Sequence, residues 1–134
     1  MTVGELSKKP NFTALNIAEP ERNIDGVYIG DLLSWVMGRA KESDAWITIM
    51  SNVNTAAVAS LADVSCIILA EGVTLEEDVL KIVKEKQINV ILSCLPIYET
   101  AINLSKMLLR NFIMIFIFIP AYRHVPIMIT RRAI

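Results

Sequence analysis

Four short stretches of this sequence carry side chains that could hold a small polar molecule: Gly30-Asp31, Ser51-Asn52 with Asn54, Glu71-Gly72, and Ser93. Each follows an apolar run and leads into a segment with helical patterning. Ser51 and Asn54, together with the N–H groups of the helix that follows, suit an anion such as phosphate. Asp31 and Glu71 suit a ribose hydroxyl or an amine. The same residue types also end and begin helices: Asp31, Asn54 and Thr74 read equally as helix caps, and Asn52 as a turn residue. What raises the ligand reading is convergence. If the apolar runs are parallel strands, all four stretches lie at their carboxyl ends, where open α/β sheets bind ligands.

Covalent chemistry has less to work with. The phosphate-binding pattern Gly-x-x-x-x-Gly-Lys-Ser/Thr is absent, and the chain holds only five glycines. His124 is the single histidine, so neither a Ser-His-Asp triad nor a histidine-rich metal site is expected. Cys66 and Cys94 lack paired-ligand spacing and each sits in an apolar run, which predicts buried free thiols in a reducing cytoplasm. The amino-terminal residues have no apolar stretch of the secretory kind. No catalytic residue, metal or cofactor is expected. Tyr28, Trp35 and Trp46 could stack a nucleobase but suit a core or an interface better. Arg22 and Arg39 could meet phosphate or pair with Glu21 and Glu42.

The elements that must position these residues follow from periodicity. The 134 residues suffice for one domain, and 54% apolar with 20% charged residues is a globular composition. Thr2 to Lys9 reads as a short helix capped by Thr2. Strands are expected at Phe12–Ile17, Ile24–Ile29, Ala45–Met50, Ser65–Ala70 and Asn89–Ser93. Helices are expected from Asp31 to Ala40, with Leu32, Leu33, Val36 and Met37 inward; from Asn54 to Ala62; from Thr74 to Lys86, with Thr74 and Glu77 as a capping box; and from Pro96 to Leu108. Continuous apolar strands alternating with amphipathic helices predict a three-layer α/β domain with a mostly parallel sheet.

The end of the chain has a different texture. Residues 1–99 hold 14 acids against 8 bases, a net of −6, whereas residues 100–134 hold five bases and no acid. Phe112 to Ile119 is an unbroken apolar run, too short to span a membrane, and its β-branched and aromatic residues favour a strand. Val125–Ile129 would supply a second. The domain is therefore drawn as residues 1–108, and residues 109–134 as an apolar, basic tail. A hairpin on the sheet edge, self-association through an apolar edge and an extension foreign to the domain are the three readings of that tail.

The stretch Glu21-Arg22-Asn23-Ile24-Asp25-Gly26-Val27-Tyr28-Ile29-Gly30-Asp31, followed by Leu32 to Ala40, Asp44 to Asn54 and Ala59 to Gly72, resembles the DRTGG domain family over about residues 1–108. The naming motif is altered: Arg22 and Gly26 match, whereas Glu21 stands for Asp, Ile24 for Thr and Asp25 for the first Gly. The resemblance implies a domain similar to the amino-terminal domain of HPr kinase/phosphorylase, found alone or joined to CBS regulatory modules and phosphotransacetylases. It implies a homodimer, no established reaction, and for free-standing copies an association with iron-only hydrogenase and electron-transfer proteins. A ligand-sensing regulatory module without catalysis is the function expected. A phosphotransfer accessory of the HPr kinase type and a scaffold for hydrogenase partners are the alternatives. Neither nucleic acid nor membrane is expected as a partner.

Overall fold

The computed structural model describes the backbone of residues 1–118 and the side chains of residues 1–110. Among the described residues, five strands and five helices follow one another. They are α1 (Val3–Leu6), β1 (Phe12–Asn16), β2 (Gly26–Ile29), α2 (Leu33–Arg39), β3 (Asp44–Thr48), α3 (Val53–Ala62), β4 (Cys66–Leu69), α4 (Glu77–Glu85), β5 (Val90–Ser93) and α5 (Ile97–Phe118). The strands form one sheet in the order β1-β5-β4-β3-β2. β2, β3, β4 and β5 are parallel, while β1 is antiparallel to β5 with an irregularity between Ala14 and Asn16.

Alternation along the buried strands sends side chains to two cores. Ala45, Ile47, Cys66, Ile68 and Ile91 face α1 and α5, meeting Val3, Leu6, Leu104 and Leu108. Trp46, Ile67, Leu69 and Val90 face the other way, meeting Val36 of α2, Ala56 and Ala59 of α3, and Val79 and Val83 of α4. Each strand is apolar on both faces because both faces are covered. The result is the three-layer α/β domain that the alternation of apolar runs and helices predicts. From β2 to β5 each crossover steps one strand in the same direction. Crossovers of one hand then put their helices on one face, and α2, α3 and α4 do share a face. The helix after β5 goes to the opposite face. β4 and β5 are thus neighbours whose outgoing loops diverge, the topological switch point of an open α/β sheet.

Several local expectations are corrected. Asp31 does not cap α2: the cap position is Leu32, which makes no side-chain bond, because the Asp31 carboxylate is engaged by β3. Only Val36 of α2 is buried, with Leu33 partly buried against the same core, while Leu32 and Met37 are exposed, because this seven-residue helix presents only a narrow stripe to the core. α3 begins at Val53 and is capped by Asn52, not Asn54. α4 begins at Glu77 behind Glu76, so Thr74 caps nothing. The buried-thiol expectation holds for Cys66, while Cys94 is exposed at the strand end. Finally, α5 runs on through Phe118, so residues 112–118 are helical and not the expected strand. An apolar run of this length is ambiguous between the two, and here it continues a helix already under way. The expected strand Val125–Ile129 and His124 lie outside the described residues.

Candidate functional site

The parallel sheet brings Gly30, Asp31, Ser51, Asn52, Asn54, Glu71, Gly72 and Ser93 to one edge, at the carboxyl ends of β2, β3, β4 and β5. Their side chains fall into three groups.

The first group locks β2 to β3. Gly30 donates its N–H to the Ile47 carbonyl at 3.3 Å and accepts from Trp46 Nε1 at 2.9 Å. Asp31 Oδ1 accepts from Thr48 Oγ1 at 2.7 Å and from the Ile49 N–H at 3.1 Å. Thr48 Oγ1 in turn accepts from the Met50 N–H at 3.1 Å. A carboxylate that takes one hydroxyl and one amide in this way holds a loop in place, here on a residue that is itself exposed.

The second group is the start of α3. Asn52 Oδ1 accepts from the Thr55 N–H at 3.1 Å, so this side chain is a cap. The N–H groups of Val53 and Asn54, at the first two positions of α3, have no carbonyl partner within the helix. They stand beside Ser51 with the positive end of the ten-residue α3 dipole behind them. Among the candidate positions this is the one with donors to offer an anion.

The third group closes the switch point. Glu71 and Gly72 follow one another in the left-handed region, with φ of 61° and 71°. That tight turn lets the Glu71 N–H reach the Leu95 carbonyl at 2.8 Å and the Gly72 N–H reach the Ser93 carbonyl at 3.3 Å. Glu71 Oε2 accepts from the Ile97 N–H at 2.7 Å. The chain's own carboxylate therefore occupies the start of α5, the position a ligand anion would take at a switch point. Ser93 lies beneath this suture, 1% exposed, with its hydroxyl 2.7 Å from Thr100 Oγ1 and accepting from the Leu95 N–H.

The aromatic and basic candidates are distributed differently from the sequence expectation. Trp46 is fully buried. Trp35 is exposed, with the Arg39 guanidinium 3.8 Å above its ring, so Arg39 does not pair with Glu42. Tyr28 is half-buried against the α2–α4 face. Arg22 pairs with Asp63, not Glu21: its Nη1 is 2.8 Å from Asp63 Oδ1 and its Nη2 donates to the Asp63 carbonyl at 2.6 Å. Asp63 is the left-handed residue that ends α3. Gly26 also has a structural role, since a Cβ there would come within 2.6 Å of Asp44 Oδ1. Thr48 and Thr100, which hold Asp31 and Ser93, escaped the sequence reading; a threonine closing a buried strand and another in the first turn of the next helix were the available signals. Among the described residues, no three acidic, cysteine or histidine side chains are placed to share a metal ion, and no helix is long and apolar enough to cross a membrane.

No family model matches the chain, and no curated protein does. A solved structure to which it is similar is the pair of CBS and DRTGG domains from the regulatory region of Clostridium perfringens pyrophosphatase, complexed with its activator diadenosine tetraphosphate. The TM-score is 0.52 at 20% identity; the match covers 66% of this chain and 39% of the other, so the chain spans well under half of that neighbour's length. At this identity the likeness is one of fold, and it agrees with the DRTGG-like reading of the sequence.

Proposed function

We propose that the chain is a non-catalytic regulatory domain that senses a small phosphate-containing or nucleotide ligand at the carboxyl ends of its parallel strands. The observation that carries this reading is the pair of amides at the start of α3 that have no carbonyl partner within the helix, on the same strand-end edge as Ser51 and the Asp31 lock. In this reading the ligand phosphate takes the Val53 and Asn54 N–H groups and the Ser51 hydroxyl. A ribose or amine reaches the Asp31 carboxylate beside Gly30, while Gly72 bounds the edge on the sutured side. Asn52, Glu71 and Ser93 shape the edge from behind. The fold neighbour supports the reading because its regulatory region is complexed with a nucleotide activator.

The working unit in this reading is a homodimer in the cytoplasm. Ile29, Leu32, Trp35 and Val53 are large apolar side chains left exposed around the same edge, which supports a protein surface against them. Ligand binding would bias that surface and so a partner enzyme. The same apolar surface also favours the scaffold alternative, in which a hydrogenase or electron-transfer partner docks there without a ligand.

The test is a thermal-shift series on the full chain with inorganic phosphate, AMP, ATP and diadenosine tetraphosphate. Sensing requires that one nucleotide raises the melting temperature saturably, and that Ser51→Ala weakens the response. A flat response to all four compounds, together with capture of an electron-transfer protein, would establish the scaffold instead.

A further inference from the structure

A second concavity lies away from the strand ends. β2 is an edge strand of the sheet, and α5 packs on the face beside β3, so that among the described residues the flank of β2 is left uncovered. Between them runs a groove of about 500 Å³, inside the range of small-ligand sites (~300–1,000 Å³). One wall is Val27 and Ile29 with the Tyr28 backbone; the other is α5. The α5 residues come in two rows at helical spacing, Tyr98-Ile102-Lys106 and Ala101-Ser105-Leu109, so one continuous stripe of the helix faces the groove.

The stripe is mainly apolar, with one cation near its carboxyl-terminal end. Among the described residues, Lys106 is the only charged one in the lining, no carboxylate joins it there, and it makes no ion pair. Its long side chain can lie along the apolar wall and present the ammonium at the rim. From Lys106 to Tyr98 is about 12 Å at 1.5 Å per residue, roughly the reach of an extended eight- to ten-carbon chain.

We propose that the groove between α5 and β2 binds a straight-chain monocarboxylate, with its carboxylate on Lys106 and its hydrocarbon between Ile29, Ile102 and Tyr98. The charge pattern selects this occupant. A groove with one cation and no anion attracts an acid, and the remaining apolar wall rewards a hydrocarbon over a sugar or nucleotide. Residues 119–134 are a poor match, because they carry Arg123, Arg131 and Arg132 and no acid. None of the strand-end ligand residues lines the groove, so ligand binding at the two places is separable; Ile29 alone belongs both to the exposed apolar edge and to the groove wall.

The test is calorimetric titration of the full chain with octanoate, octanol and octylammonium, each below its micelle concentration. Octanoate should bind saturably and at least tenfold more tightly than either of the others. Lys106→Glu should reverse the preference between octanoate and octylammonium. Ala101→Trp, which fills the groove, should abolish octanoate binding while circular dichroism confirms the native helix content. Equal binding of octanol and octanoate, or binding that survives Ala101→Trp, would overturn the proposal. So would size-exclusion profiles in which Ala101→Trp splits a dimer that octanoate leaves intact, because a second copy would then be the occupant.

Discussion

Arg22 and Gly26 are the two letters of the altered motif that this chain keeps, and both are accounted for without a ligand. Arg22 holds the left-handed turn that ends α3 through the carboxylate and the carbonyl of Asp63. Gly26 leaves room for the Asp44 carboxylate, which itself accepts from the Lys41 N–H at 2.8 Å. Gly26→Ala forces that carboxylate aside and should cost about 1–3 kcal/mol in urea denaturation, the usual range for overpacking. The cysteines offer a second check. Burial pushes the Cys66 thiol up to about 12, with Arg22 pulling slightly the other way, whereas Cys94 is exposed. One thiol should react with a disulfide reagent at pH 8 in the native protein, and the second only on unfolding. The sign of the pH effect is fixed by the raised value. Below the ordinary thiol range both states keep the proton and nothing is lost. As pH climbs from about 9 towards 12 the unfolded chain gives it up first, so stability falls. Cys66→Val should remove that part of the alkaline slope. The burial of Cys66 was legible from its apolar run. The partner of Arg22 was not, because Asp63 lies far along the chain and only the fold brings them together.

At the scale of elements, the sequence reading placed every helix and strand of residues 1–108 but misassigned three helix caps. Asp31 has the right side chain for a cap, yet its oxygen is taken by Thr48 and Ile49, a competition visible only once β2 and β3 are neighbours. Thr74 with Glu77 reads as a capping box, but Leu75 packs against the α2–α4 core and the helix starts only behind Glu76, whose backbone is extended. Leu75 and Leu80 then stand at the spacing of a hydrophobic staple around Glu76. Two substitutions separate these cases in thermal or chemical denaturation. Asn52→Ala should cost about 1 kcal/mol as a lost cap, and Thr74→Ala should stay within about 0.5 kcal/mol as a surface change. The apolar run at 112–118 misled for a different reason: β-branched and aromatic residues suit a pleated surface only if one is available, and α5 was already hydrogen-bonded through the preceding turns.

For the whole molecule, the strand order decides where a ligand can enter. The switch point between β4 and β5 is the expected crevice, and this chain sews it shut with the Glu71 carboxylate and two backbone bonds. Glu71→Ala should cost about 1–2 kcal/mol as a lost charge-assisted bond. It should also expose the start of α5 as a new anion site, read as a larger thermal shift with phosphate than the unaltered chain gives. That the loops converge was legible, because alternating apolar runs and helices imply parallel strands. That the convergence is closed in the middle was not, since it depends on α5 leaving to the opposite face.

The pairing of β1 with β5 has a consequence in time. Phe12 stands opposite Ser93, and Asn16 and Asn89 tie the same two segments together through the Ile88 carbonyl and the Ala18 and Glu19 N–H groups. Within this sheet β1 leaves the ribosome before the other four strands, yet it waits for the latest of them, β5. β2, β3 and β4 can assemble from near neighbours, but β1 has no edge to join until residue 93 has emerged, and closing so long a loop is the slow step of such topologies. A nascent chain arrested before β5 should leave β1 open to proteolysis, and release of a few more residues should protect it abruptly.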